Sequence, residues 1–213
     1  MTIRVFLIDD HALVRTGMRL ILGTDTEIEV VGEAETGEAA LPLVRQLKPD
    51  VVLCDLHLPG YSGLEVTERL VRADIGVRVI IVSVLEDGPM PKRLLEAGAS
   101  GYISKGCNAQ ELLRAVRDAS LGRRYLGSNI AQNLALSTVE GSASPFDSLS
   151  EREIQIALMI VGCQKVQIIS DKLCLSPKTV NTYRYRIFEK LSVTSDVELT
   201  LLAVRHGMVD ANL

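Results

Sequence analysis

The sequence predicts an α/β domain with a parallel sheet, followed by a smaller all-α domain. Over the first 120 residues, short apolar runs alternate with longer segments of helical periodicity. A stretch of small polar residues with Gly and Pro comes next, and helical signals resume near residue 149. We therefore assign the first domain to residues 1–121, a linker to 122–147 and the second domain to 148–213.

Five apolar runs in the first domain have the length and composition of β-strands, and a helical pattern follows each. Almost continuous apolar strands are typical of a doubly wound parallel sheet, with helices on both faces. The strands are expected at Ile3–Ile8, Glu29–Gly32, Val51–Cys54, Val77–Val82 and Gly101–Ile103. The helices are expected at Ala12–Leu22, Gly37–Leu47, Gly63–Arg72, Pro91–Ala97 and Ala109–Leu121. Pro42 either lies in the first turn of its helix or kinks it.

The second domain is predicted to be a bundle of four helices. The first begins with a capping-box pattern, Ser150 with Glu153. The third begins at Ser176 and Pro177, an N-cap residue followed by proline at the first helical position. The second and fourth are expected at Val166–Leu173 and at about Asp196–Arg205, with a stop at Gly207. In the linker, Ser128–Leu136 has the pattern of a short helix, and Ser137–Pro145 the composition of a flexible connection.

Composition and charge narrow the function. No apolar run approaches the ~20 residues of a membrane-spanning helix, and we expect a cytoplasmic protein without membrane contact. The four cysteines and three histidines lack the spacing of a zinc site or a disulfide framework. Residues 1–148 hold 15 Lys and Arg against 20 Asp and Glu, a net charge of −5, whereas residues 149–213 hold 8 against 7, a net charge of +1. Four of those basic residues fall within residues 176–191, so one helix carries concentrated positive charge.

Polar side chains stand where four of the predicted strands end. They are Asp9 and Asp10, Asp55, Ser83 and Lys105. Because the carboxyl ends of parallel strands meet at one edge of a sheet, we expect these side chains to converge. Three carboxylates in one pocket repel each other unless a cation neutralises them, and Mg²⁺ suits an all-oxygen donor set. With Lys105 and the Ser83 hydroxyl as further partners, Asp55 is predicted to be the nucleophile that accepts a phosphoryl group.

Each of these residues also has an ordinary structural interpretation. The Asp9-Asp10 pair could cap the following helix, and Asp55 could belong to a turn. Ser83 could be a simple strand-end hydroxyl, and Lys105 a solvated lysine. The occurrence of all of them at strand ends, in this order, favours the phosphoacceptor pocket.

The first domain resembles a known family in the same residues. The set Asp9-Asp10, Asp55 with Pro59-Gly60, Ser83, and Gly101–Lys105 resembles the flavodoxin-like receiver domain of two-component response regulators over residues 3–121. The resemblance implies that a sensor histidine kinase phosphorylates Asp55. It implies Mg²⁺ bound by Asp10, Asp55 and the backbone carbonyl of His57, with Asp9 supporting the site. It also implies that Ser83 and Tyr102 act as the switch pair, although Tyr102 could merely pack against the sheet.

The run from Val166 to Leu191 has the pattern of a helix-turn-helix. Val180, Ile187 and Leu191 are spaced to face the interior, with Tyr183 and Phe188 partly buried beside them. Side chains suited to bases and phosphates occupy the rest of the helix. The predicted DNA contacts are Lys178, Thr179, Asn181, Thr182, Arg184, Tyr185, Arg186 and Lys190. The alternative is an amphipathic helix whose polar face is only solvated.

The second domain resembles the LuxR-type helix-turn-helix of NarL/FixJ regulators. The resemblance lies in Leu149–Glu153, Leu175–Val180 and Lys190-Leu191. The stretch Ser176–Leu191, with Ser144–Phe146 and Ala203–Gly207, is similar to the GacA/UvrY global regulators in particular. The resemblance implies binding to double-stranded promoter DNA as a homodimer, action through RNA polymerase, and activation of small regulatory RNA genes.

Two other functions fit part of the pattern. A haloacid-dehalogenase-like phosphatase also uses a strand-end Asp with Mg²⁺, but it usually has a second Asp two residues later, where this chain has His57. A phosphatase would also leave the C-terminal helices unexplained. An interaction module that is never phosphorylated, with a bundle that binds protein, is the second alternative. Phosphorylation and DNA-binding measurements distinguish these from a phosphorylation-switched transcription factor that is not an enzyme.

Overall fold

The computed structural model describes residues 2–140, 144–206 and 208, which divide into two compact units. One unit contains the sheet and its helices, and the other contains the C-terminal helices. No helix among the described residues is long and apolar enough to cross a membrane.

The sheet has six parallel strands in the order β2-β1-β3-β4-β5-β6. They are β1 Ile3–Ile8, β2 Ile28–Ala34, β3 Val51–Asp55, β4 Arg78–Ser83, β5 Gly101–Ser104 and β6 Tyr125–Leu126. The expectation of five strands was therefore one short. The missed strand has only two residues, too few for an apolar run to be recognised. It pairs with β5, and backbone hydrogen bonds to Ser100 and Tyr102 hold its two ends.

Helices cover both faces of the sheet, as the apolar strands predicted. The helices after the first strand are α1 Ala12–Leu22, α2 Gly37–Leu47, α3 Gly63–Arg72, α4 Met90–Glu96, α5 Ala109–Ser120 and α6 Ser128–Glu140. The division between the two units falls within α6, after Leu134. Buried side chains of α1 and α5 join one core cluster with Val5, Leu53 and Ile80 of the strands. The alternate residues Phe6 and Val52 are also inaccessible to solvent. Both sets of strand side chains are therefore removed from water.

Pro42 lies inside α2, beyond its first turn. Its ring nitrogen carries no hydrogen, so the helical hydrogen bond to the carbonyl of Glu38 is absent. The helix is nevertheless well defined at both ends. Thr36 caps its N-terminus, and Lys48 ends it in the left-handed conformation, with φ of 46°.

The segment expected to be a linker contains regular structure. Within residues 122–147, the structure has β6, the helix α6 and the start of a 3₁₀ turn at Pro145–Ser148. The helix α6 extends four residues beyond the expected Ser128–Leu136. Residues 141–143, in the middle of the expected flexible connection, lie outside the described residues.

The second unit is a bundle of four helices after the 3₁₀ turn. They are α7 Glu151–Val161, α8 Val166–Leu173, α9 Pro177–Leu191 and α10 Asp196–Arg205. The predicted capping box is present, since Ser150 and Glu153 each bond the other's backbone N–H. The bundle core includes Phe146, Ile156, Val180, Ile187 and Leu199. Gly207, the expected stop of the last helix, lies outside the described residues.

Candidate functional site

Four neighbouring strands bring the predicted pocket residues to one edge of the sheet. Asp9 and Asp10 directly follow β1, Asp55 ends β3, Ser83 ends β4, and Lys105 directly follows β5. These strands are adjacent in the order β1-β3-β4-β5, and Ser83 stands opposite Ser104 in the register. The convergence expected at the carboxyl ends of parallel strands is present in the structure.

Lys105 joins two buried carboxylates. Its Nζ lies 2.9 Å from Asp9 Oδ2 and 2.9 Å from Asp55 Oδ2. The side chain of Asp9 is inaccessible to solvent, and that of Asp55 is 2% exposed. Lys105 is itself mostly covered, so it is not the solvated lysine of the alternative interpretation.

The carboxylates of this pocket carry more negative charge than Lys105 alone neutralises. Burial raises the pKa of Asp55, and Lys105 only partly opposes this effect. For Lys105, burial favours the neutral form, but the Asp9 and Asp55 carboxylates outweigh burial and raise the pKa of the ammonium group. Burial also lowers the pKa of His57, against the attraction of Asp55. A second positive charge in this pocket would stabilise the ionised form of Asp55.

The carboxylates and one imidazole are arranged so that a single cation could bind them. Ligand atoms of Asp9, Asp10, His11 and Asp55 all lie within 4.8 Å of one another. Asp9 Oδ2 is buried and has no hydrogen-bond donor in good geometry, although the Lys105 ammonium lies 2.9 Å from it. These oxygen donors fit a hard divalent cation such as Mg²⁺. The backbone carbonyl of His57 stays a prediction as a further ligand.

His11 is the pocket residue that sequence reasoning missed. Its Nδ1 lies 2.7 Å from Asp10 Oδ1, and its backbone N–H donates to Asp9 Oδ1 at 2.8 Å. His11, and neither aspartate, occupies the N-cap position of α1, and it makes no side-chain capping bond. The capping interpretation of the Asp9-Asp10 pair is therefore not what the structure shows. Adjacency to that pair was the one available signal for His11.

Ser83 and Tyr102 are connected through the loop that follows β4. Ser83 Oγ accepts the backbone N–H of Leu85 at 3.1 Å, and the Tyr102 hydroxyl donates to the Leu85 carbonyl at 2.7 Å. Burial raises the pKa of Tyr102 well above its usual range, against a hydrogen bond with Ser83. Tyr102 is thus packed against the sheet and also hydrogen-bonded to the loop that leaves the pocket.

The second unit contains the predicted helix-turn-helix in α8 and α9. Cys174 ends α8 with φ of 52°, and Ser176 caps α9 by accepting the N–H of Thr179. The predicted inward residues Val180, Ile187 and Leu191 are all buried. Tyr183 and Phe188 are partly buried, as expected.

The structure divides the eight predicted DNA contacts into two groups. Lys178, Thr182, Tyr185 and Arg186 are exposed, and Thr179 and Asn181 are partly exposed. The guanidinium of Arg184 instead forms two hydrogen bonds to Asp196 of α10, at 2.8 and 2.7 Å. The Lys190 ammonium lies 2.6 Å from Glu153 of α7. These last two cations already stabilise the bundle, which lowers their availability for phosphates.

Comparison with known proteins identifies both units. Residues 5–117 match the profile of the response regulator receiver domain, and residues 147–203 match that of the bacterial regulatory proteins of the luxR family. This chain is a two-component response regulator. As a response regulator with a LuxR-type DNA-binding domain, it is a regulator of transcription and not an enzyme in the usual sense. The phosphatase alternative is thereby excluded.

Relatives of this response regulator match it over nearly their whole length. The response regulator GacA of Pseudomonas protegens is 61% identical over 212 residues, which cover 99% of this chain and 100% of that protein. The response regulator UvrY of Escherichia coli K12 is 51% identical over 211 residues, which cover 98% of this chain and 97% of that protein. The predicted similarity to this group is confirmed.

Solved structures support the same assignment. The response regulator ChrA of a heme-sensing two-component system superposes with a TM-score of 0.56 at 32% identity, over 98% of this chain and 99% of that one. RcsB of Salmonella typhimurium shares the fold, with a TM-score of 0.72 at 22% identity, over 94% of this chain and 96% of that one.

Proposed function

We propose that Asp55 accepts a phosphoryl group from a histidine kinase and that this modification controls DNA binding by α9. The observation that carries the proposal is the ammonium group of Lys105, 2.9 Å from both Asp9 and Asp55, in a pocket of buried carboxylates. An Asp55 oxygen would attack phosphorus, the bond from phosphorus to the kinase imidazole nitrogen would break, and the imidazole would leave. Lys105 is positioned to neutralise charge on the incoming phosphoryl oxygens, and the Ser83 hydroxyl to donate to them.

Asp9, Asp10 and Asp55 are the carboxylates that would bind Mg²⁺, with the His57 carbonyl as a further ligand. A bound divalent cation would neutralise the carboxylates and the transferring phosphoryl group. The chain's own contribution is to bury the carboxylates and to hold the Lys105 ammonium beside Asp9 and Asp55. The receiver would also catalyse loss of its own phosphoryl group, without turnover of any other substrate.

Incubation with acetyl phosphate and Mg²⁺, followed by intact mass spectrometry, tests this site. The wild-type chain should gain the mass of one phosphoryl group, and Asp55→Asn should gain none. Asp74→Asn is a matched control, because Asp74 is exposed and lies outside the pocket. An unmodified wild-type chain, or modification that persists in Asp55→Asn, would refute the assignment of Asp55.

For the DNA interface, we propose that the exposed side chains of α9 enter the major groove as part of a homodimer. Lys178, Thr182 and Arg186 are exposed along α9, and Thr179, Asn181 and Tyr185 complete the donor-rich surface. A solved RcsB structure contains two RcsB dimers bound to two parallel DNAs, and its fold matches this chain with a TM-score of 0.61. Footprinting of promoter DNA with phosphorylated and unphosphorylated protein tests the switch. Equal protection in both states would contradict it.

We also propose that the unphosphorylated receiver covers α9 or blocks dimerisation. The net charge of −5 on residues 1–148, against the basic α9, supports attraction between them. The isolated segment 145–213 should then bind DNA more tightly than the unphosphorylated full chain. Binding that is equal or weaker would show that masking is wrong.

The similarity to GacA and UvrY supports the proposal that the targets are small regulatory RNA genes, activated through RNA polymerase in the cytoplasm. In vitro transcription with purified polymerase tests this. Phosphorylated protein should raise transcript from such promoters, and Asp55→Asn treated in the same way should not.

A further inference from the structure

The loop after β4 contacts a part of the receiver that the phosphoacceptor pocket does not use. The Glu86 carboxylate accepts the Asn129 side-chain amide at 2.9 Å, and the Glu86 carbonyl accepts the Asn133 amide at 3.4 Å. Asn129 and Asn133 lie one turn apart on α6, so both face the same loop. Ser104, at the end of β5, also bonds the Glu86 carboxylate, and with Asn129 it holds the pKa of Glu86 below its ordinary value.

Glu86 directly follows the residue that contacts both members of the switch pair. Leu85 precedes Glu86, its N–H donates to Ser83 Oγ, and its carbonyl accepts the Tyr102 hydroxyl. A shift of the Ser83 hydroxyl towards a phosphoryl oxygen on Asp55 would therefore pull on both polar groups of the Leu85 backbone. Because Glu86 is covalently next in the chain, its carbonyl and carboxylate would move away from the positions that suit Asn129 and Asn133.

A second connection reaches the start of the same helix. The Tyr102 carbonyl accepts the N–H of Gly127, the residue before α6 begins. Tyr102 thus contacts the β4–α4 loop through its hydroxyl and the start of α6 through its backbone. The start of α6 is therefore held by Tyr102 directly and by Glu86 through Asn129 and Asn133. The division between the two units falls further along the same helix, after Leu134.

We propose that Glu86 is a clamp that holds α6 against the receiver in the unphosphorylated state, and that phosphorylation of Asp55 loosens it. The inference rests on the proposed function of Asp55 but assigns the next step, from the switch pair to the connecting helix. The clamp is a small bias between two positions of α6, because one or two exposed hydrogen bonds shift such a population only several-fold.

Amide hydrogen exchange on the full-length unphosphorylated chain tests the clamp directly. Glu86→Ala should increase exchange in the first two turns of α6 several-fold, and Glu86→Gln should change it little, because the Gln side-chain oxygen still accepts from Asn129. Asn129→Ala should increase exchange in α6 as much as Glu86→Ala does. In the double variant, the increase should be smaller than the sum of the two single increases, because both substitutions remove the same hydrogen bond. Glu68→Ala, on the exposed surface of α3, is the matched control. Unchanged exchange of α6 in Glu86→Ala and Asn129→Ala would refute the clamp.

DNA binding by the same variants tests its role. The unphosphorylated Glu86→Ala chain should bind promoter DNA several-fold more tightly than the unphosphorylated wild type. Phosphorylation should then increase the DNA affinity of Glu86→Ala less than it increases that of wild type. If α6 exchanges faster but affinity in both states matches wild type, the clamp does not transmit the signal and the proposal fails. Failure of the Asp55 assignment would show separately, as a wild-type chain that acetyl phosphate does not modify.

Discussion

At the residue scale, two glycines in helices of the same domain have opposite surroundings. A Cβ atom on Gly63 would lie 2.4 Å from the backbone oxygen of Asp55, whereas one on Gly17 would meet nothing within 4 Å. Gly63→Ala should therefore destabilise the chain by about 1–3 kcal/mol through overpacking against the phosphoacceptor's backbone. Gly17→Ala should stabilise it by about 0.5–1 kcal/mol. Urea unfolding of both variants measures the difference, and equal midpoints would contradict this packing.

The buried Glu153 gives a pH-dependent prediction. Burial opposes its ionisation, but hydrogen bonds from Lys190 and Ser150 outweigh burial and hold the pKa of Glu153 below its ordinary value. Because the folded-state pKa is lowered, the stabilisation is present above the unfolded pKa and is lost as the pH falls through the folded pKa. Glu153→Gln should cost about 1 kcal/mol at pH 7 through loss of the charged hydrogen bonds. The difference in unfolding free energy between wild type and Glu153→Gln should shrink below about pH 4. A difference that does not change with pH would refute this explanation.

At the element scale, α9 separates cations that stabilise the bundle from cations available to DNA. Arg184 and Lys190 pair with Asp196 and Glu153, whereas Lys178 and Arg186 are exposed. Removal of one phosphate-contacting cation reduces the slope of log affinity against log salt by about 0.9. Lys178→Ala and Arg186→Ala should show that reduction, and Arg184→Ala should leave the slope unchanged but lower the stability of the domain. A reduced slope in Arg184→Ala would mean that its pair with Asp196 opens on DNA.

The same elements show what the sequence could predict. Apolar runs and capping residues predicted the first five strands, the order of the helices and the buried stripe of α9. This was possible because the spacing of apolar residues along the chain indicates which face of an element is buried. The position of Asp9, Asp55 and Lys105 at the ends of parallel strands also predicted their convergence. The pair of Arg184 with Asp196 and the clamp on Glu86 could not be predicted, since each depends on how separate elements pack. The strand β6 was missed because two residues carry no periodicity.

At the scale of the whole molecule, the two units should respond differently to a ligand of the acidic pocket. Mg²⁺ that binds only folded receiver stabilises it by about 2.7 kcal/mol at 100 times the dissociation constant. Calorimetry of the full chain should show two unfolding transitions. Mg²⁺ should raise the midpoint temperature of the receiver's transition and leave that of the other unit unchanged. In Asp55→Asn the rise should be much smaller. A single transition that moves as a whole with Mg²⁺ would mean that the two units unfold together.

The strand β6 has a practical consequence for the edge of the sheet. Without Tyr125 and Leu126, the backbone of β5 at Gly101 and Tyr102 would present unpaired N–H and C=O groups to other chains. A receiver fragment that stops at residue 121 should therefore self-associate, whereas one that continues to residue 134 should stay monomeric without phosphorylation. Sedimentation of the two fragments at equal concentration compares them. The two-residue strand β6 would then protect the edge of the sheet from pairing with other chains.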